Sequence, residues 1–115
     1  MASAAREITP PVFNEDEDVA FTVELGDAFI ADYADDPDDL VIDYAVGADG
    51  QQHVLLEQGD EGLTVDGDAG TVTIRIAKRT LAPAKYDHLA RLHRVSTDEW
   101  TAIWGGNLHI AKGVF

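Results

Sequence analysis

Residues 85–95 read KYDHLARLHRV, and whether they wind into a helix or extend as a strand decides the fold. As a helix the segment brings Leu89 and Leu92 together at i, i+3 and aligns little else. As a strand it puts Tyr86, His88, Ala90 and Leu92 on one face. The boundaries favour the strand: Pro83 limits a helix from the N-terminal side, the turn Ser96-Thr97-Asp98-Glu99 limits it from the other, and every neighbouring segment reads as a strand.

Working outward, TVTIRIA (71–77) alternates without exception, with Val72, Ile74 and Ile76 on one face and Thr71, Thr73 and Arg75 on the other. LTV (63–65) precedes it across the turn DGDAG (66–70), and QQHVLLEQ (51–58) lies before the turn QGDEG (58–62). LVIDYAV (40–46) places Leu40, Ile42, Tyr44 and Val46 inward and Asp43 outward, and GADG (47–50) turns it into the next strand. VAFTVEL (19–25) buries Val19, Phe21, Val23 and Leu25. GDAFIADY (26–33) reads as another short strand with Phe29, Ala31 and Tyr33 on one side, and ADDPDD (34–39) as a turn. KRTLAPA (78–84) is a connection in which one helical turn from Thr80 is bounded by Pro83.

The closing stretch WTAIWGGNLHIAKGVF (100–115) puts Trp100, Ala102, Trp104, Leu108 and Ile110 on one parity. That parity predicts both tryptophans in the core, with Gly105-Gly106 bending the strand. Seven or eight strands at this spacing predict an all-β fold, an antiparallel β-sandwich that is immunoglobulin-like or small-barrel-like, over residues 18–115. Residues 1–17 lack periodicity, hold a Pro-Pro pair and end in acids, so they read as an extended N-terminal arm. Its Ile8, Val12 and Phe13 either pack back on the sandwich or anchor the arm on a partner.

The 115 residues suffice for one domain, and the absence of cysteine removes disulfides and thiolate chemistry. No apolar run approaches the 18 residues or so that a membrane span needs, and the N-terminus does not read as a secretory signal. A net charge of -14 disfavours nucleic acid as a partner. The charge is split: residues 1–68 hold 19 of the 22 acids and only Arg6 among bases, whereas residues 69–115 hold the other seven bases. Either the halves pair within one domain and cancel part of each other's field, or an acidic patch on one copy meets Arg75, Lys78 or Arg79 on the next in a head-to-tail ring, with Lys85, Arg91 and Arg94 as further bases.

No nucleophile motif, zinc motif or phosphate loop is present, and the histidines at 53, 88, 93 and 109 are scattered, His88 and His93 falling on opposite strand faces. No catalytic residue, metal site or cofactor is therefore expected. Two acidic turns, Asp35, Asp36, Asp38, Asp39 and Asp66, Asp68 with Asp60 and Glu61, offer oxygen ligands of the kind calcium takes, without the spacing of a calcium-binding loop.

From Leu63 to Val114 the chain resembles the immunoglobulin-like N-terminal domain of siphophage baseplate upper proteins, a module of tailed-phage structural proteins. Gly70, Val72, Ile74 and Ile76 match its first strand, Leu81, Pro83 and Tyr86 the turn and second strand, and Gly106, Leu108 and Ile110 the third. His88 stands where a second aromatic would be. The adaptor members of that family continue into a region that holds receptor-binding proteins, which is not the expectation for a chain ending at Phe115. The resemblance implies a non-enzymatic virion protein made in the host cytoplasm. The expected role is a capsid decoration or cement protein that contacts the major capsid protein or another virion protein, as a trimer or small ring. Ile8, Val12, Phe13, Arg75, Lys78 and Arg79 are the expected contact residues. A tail, neck, or fibre or spike-base component is the alternative, and a carbohydrate-binding module built on Trp100 and Trp104 a further one.

Overall fold

A computed structural model describes residues 6–113. Among the described residues nine strands form two facing sheets: β1 (Arg6–Glu7), β2 (Phe13–Asn14), β3 (Val19–Glu24), β4 (Leu40–Ala48), β5 (Gln51–Glu57), β6 (Leu63–Asp66), β7 (Thr71–Ile76), β8 (Ala84–Arg94) and β9 (Glu99–Ala111). The smaller sheet runs β3-β7-β6, and the larger runs β1-β9-β8-β4-β5 with β2 also on β9. All pairings are antiparallel except those of β1 and β2, which lie parallel to β9. The segment 85–95 is therefore a strand up to Arg94, the longest partner of both β4 and β9.

This strand order is that of a variable-type immunoglobulin sandwich. Two local features agree. Tyr86 Oη donates to the Ala82 carbonyl at 2.6 Å, a tyrosine at the start of the strand bonding back to the corner that precedes it. Two residues on, where such domains carry the second cysteine of their inter-sheet disulfide, stands His88. Phe21 from β3 packs edge-on against it at 6.0 Å between ring centroids, and Tyr44 from β4 at 5.6 Å. In a chain without cysteine, this aromatic pin joins the sheets by packing instead of by a covalent bond.

The core follows the alternation. Val19 and Val23, Leu40, Ile42, Tyr44 and Val46, Val72, Ile74 and Ile76, Tyr86 and Ala90, and Trp104, Leu108 and Ile110 are all buried. Burial of these branched and aromatic side chains, each worth about 1.5–3 kcal/mol, is what holds the two sheets face to face.

Three expectations need correction. Residues Asp27–Asp35 form a helix, α1, not a strand. Phe29 and Tyr33 are four apart, and on a helix their rings meet at 5.5 Å, a contact that a strand cannot make. Gly67 makes the docking possible, since a Cβ there would lie 2.0 Å from the Tyr33 ring. The connection is built of turns and bends over 78–83, Ala84 already belonging to β8, with no helix at Thr80.

The third correction concerns β9. Ala90 pairs with Trp104 but Arg91 pairs with Ala102, so Ile103 is an extra residue and the bulge sits there and not at Gly105-Gly106. One inserted residue reverses the face of everything before it. Trp104 is fully buried, while Trp100 is 50 % exposed on the outside of the sheet.

Candidate functional site: the outer face of the large sheet

The register of four strands lays out this face in rows. Leu55, Ala45, Leu89 and Gly105 form an apolar row across β5, β4, β8 and β9. Beside it runs a charged row, Glu57, Asp43, Arg91 and Ala102, and beyond that Val41, His93 and Trp100. Leu55, Leu89 and Trp100 are three of the large apolar side chains left exposed in the described residues.

Within the charged row Asp43 and Arg91 satisfy each other. Arg91 grips Asp43 at two points, Nε to Oδ1 at 3.1 Å and Nη2 to Oδ2 at 2.7 Å. The bond to the carboxylate raises the guanidinium's pKa further, so it stays charged. The same guanidinium lies 4.4 Å from the centroid of the Trp100 ring, close enough for cation–π attraction. His93 stacks on Trp100 at 4.1 Å, and its Nε2 meets Asp98 Oδ1 at 2.8 Å. Val41, Asp43, Glu57, His93 and Trp100 line a cleft of about 240 Å³. A pre-positioned indole and arginine beside an apolar row have the composition that protein interfaces favour, because large side chains already held in place lose little entropy on contact.

The expected contact residues fall elsewhere. Ile8 and Phe13 pack against the core, and only Val12, at 57 % exposure, faces solvent. The arm, over its described part, lies along β9; residues 1–5 fall outside the described residues. Arg75 Nη2 bonds Asp18 Oδ2 at 2.7 Å, and the Lys78 amide bonds Asp18 Oδ1 at 2.9 Å. Arg75 first, then the Lys78 amide, hold the Asp18 carboxyl below the usual aspartate range. Arg79 pairs with Asp16 at 2.5 Å, and Arg94 reaches Asp39 and Asp32. The two charge halves thus meet inside one chain. Arg75 and Lys78, with Val54, Leu56 and Ile76, also line an open cleft of about 570 Å³ at the mouth of the sandwich.

Three carboxylates of the acidic turns accept hydrogen bonds from the chain. Asp66 Oδ1 accepts the amides of Asp68 and Ala69, Asp60 accepts that of Glu57, and Asp39 accepts both the amide and the hydroxyl of Ser96. Among the described residues no three carboxylates or histidines converge as metal ligands would.

The sequence reading missed Arg91, His93 and Trp100 as a group. Arg91 and His93 share a parity that was open to view, but the bulge at Ile103 hid the face of Trp100.

No family model matches the sequence, and no curated protein matches it. Among solved structures the chain is similar to the NK cell receptor NKp44, a triggering partner in natural cytotoxicity, at 12% identity. That match covers 96% of this chain and 100% of the other with a TM-score of 0.46.

Proposed function

We propose that this chain is a non-enzymatic adhesive domain of a tailed-phage particle, acting as a capsid decoration protein. One observation carries the adhesive reading: the outer face presents the apolar row Leu55-Ala45-Leu89-Gly105 beside an indole and an arginine already locked in place. The phage setting is supported by the sequence resemblance at Gly70, Val72, Ile74, Ile76, Tyr86, Gly106, Leu108 and Ile110. Those positions serve packing, so the resemblance speaks for the module and not for its partner.

In this function the outer face covers a seam between copies of the major capsid protein or another virion protein. A stable contact of this type buries about 800 Å² per partner, and many copies bound at once shift the shell toward its assembled state by mass action. The basic residues 75, 78 and 79 take a secondary part, because Asp16 and Asp18 already occupy two of them. A head-to-tail ring has to displace those internal acids.

Quantitative mass analysis of purified virions tests the assignment. A copy number comparable with that of the major capsid protein is expected. A few copies per particle would move the protein to the tail, neck or fibre base, and absence from the particle would overturn both virion readings. Burial of Trp104 removes the expected platform of two tryptophans, and exposure of Trp100 leaves glycan stacking on one indole as the second reading; it predicts that added oligosaccharides shift the emission of Trp100.

A further inference from the structure

His88 holds the N-terminal segment to the core. Its imidazole is 3 % exposed, with Nε2 2.6 Å from the Ile8 carbonyl and Nδ1 2.9 Å from Tyr44 Oη. A carbonyl oxygen only accepts, so Nε2 carries the hydrogen and Nδ1 accepts from the Tyr44 hydroxyl. The notch that admits Ile8 is built for it. Gly106 has φ +142, and a Cβ there would lie 2.6 Å from the Ile8 oxygen and 3.4 Å from His88 Nε2.

The arm is fastened unevenly. From Asn14 onward it is clamped: Glu15 N–H donates to Ala111, the Glu15 carbonyl accepts from Arg79 N–H, its carboxylate accepts from Gly113 N–H, and Asp16 pairs with Arg79. Before it come Pro10 and Pro11, which have no amide hydrogen to give a ladder. Residues 6–8 are held by the bridges of Arg6 and Glu7 to β9, an Arg6 bond to the Glu24 carbonyl, the Ile8 amide on the Gly105 carbonyl, and His88.

We propose that residues 6–9 are an acid-releasable strap, latched by neutral His88 and freed when His88 takes a second proton. That proton would sit on Nδ1, pointed at a Tyr44 oxygen whose own hydrogen already points back. Burial keeps the Tyr44 phenol protonated, so it cannot yield by ionising. The ionisable groups around the ring are Tyr44 from β4 and Asp87, its neighbour on β8; Phe21 from β3, Gly106 from β9 and Ile8 bring none. Burial costs the cation more than the Ile8 carbonyl and Asp87 return to it, and the Tyr44 hydroxyl must turn its hydrogen away before it can accept from Nδ1. Lifting the strap lets water reach it at the smallest loss of packing, since the clamp from Asn14 and the core strands stay in place. It also bares the edge of β9 at Trp104–Gly106, where β1 had been paired, for a strand from a partner.

Native-state hydrogen exchange of the full chain tests the latch, read at the Ile8 amide and corrected for the intrinsic pH dependence of exchange. Protection of Ile8 should fall by up to about tenfold between about pH 7.5 and 5.5, as His88 of the lifted strap takes its proton near the ordinary histidine value. The Glu15 amide and the Trp104 indole should keep their protection. In His88→Gln, whose side chain can donate to Ile8 and accept from Tyr44 without titrating, the pH dependence should vanish. Unchanged Ile8 protection in the native chain overturns the proposal. So does loss of protection at Ile8 and Trp104 together, which is global unfolding, and that comparison needs no variant to fold.

Discussion

The imidazole of His93 and the indole of Trp100 lie stacked, with centroids 4.1 Å apart and planes 6° from parallel. They belong to adjacent strands and face each other across the β8–β9 ladder. Their contact fixes the orientation of the largest exposed side chain on the outer face, and it does so before any partner arrives.

Trp100→Ala should therefore separate adhesion from folding. Loss of particle binding is expected with a stability change within about 1 kcal/mol, because the side chain is half exposed and only its stacking on His93 and its cation–π contact with Arg91 are removed. Co-sedimentation with stripped particles and urea unfolding measure the two. Binding that survives the change would reject this face as the contact.

Trp104→Ala should behave in the opposite way. This indole is fully buried against Tyr44, and truncation leaves a cavity worth about 3–5 kcal/mol. Thermal denaturation should show a large fall in Tm or an unfolded chain. A mild effect would contradict the placement of the β9 bulge at Ile103.

Arg91→Met removes one partner of a pair whose acid, Asp43, is largely buried. The arginine is itself partly exposed, so solvent screening brings the expected loss to about 1–2 kcal/mol. The double change Arg91→Met with Asp43→Leu should recover part of it, since no charge is then left stranded. Denaturant unfolding of both variants checks the order.

Stability should fall with acid in two stages. Burial sets the His88 pKa below its ordinary value near 6.5, so the unfolded chain takes the proton first. The contribution of His88 is present in full above about pH 6.5 and is lost as pH falls through the folded value. Asp39 is held low chiefly by the Ser96 amide and Asp18 chiefly by Arg75, so theirs is lost only below about pH 4. Melting temperatures taken from about pH 8 to 3 should show both stages, and His88→Gln should erase the upper one alone.

Removing residues 1–13 should leave the sandwich folded but less stable, because Ile8 and Phe13 pack on its core. If particle binding is then unchanged, the arm has no part in adhesion. Charge reversal at Arg75 and Lys78 makes the matching test of the ring: oligomer size insensitive to it at low salt would reject head-to-tail assembly.

Much of the fold was legible in the residues. Period-2 alternation in 40–46, 71–77 and 85–95 identifies the strands, and the inward residues Ile42, Tyr44, Ile74 and Ala90 are those found buried. The helix was not legible, because an eight-residue run such as GDAFIADY carries no more helical than strand period. Its type is decided by where Phe29 and Tyr33 find a surface, which is the turn at Gly67.

The site shows the same division. Sequence alone determined the alternation, the turns and the split of charge, because these are local properties that each segment carries with it. Only the tertiary structure decided that Trp100 faces outward while Trp104 faces inward, that Asp16 and Asp18 claim Arg79 and Arg75, and that His88 meets Ile8 across 80 positions of chain. Each of these depends on register between segments distant in sequence or on a single inserted residue, and a period-2 pattern is blind to both.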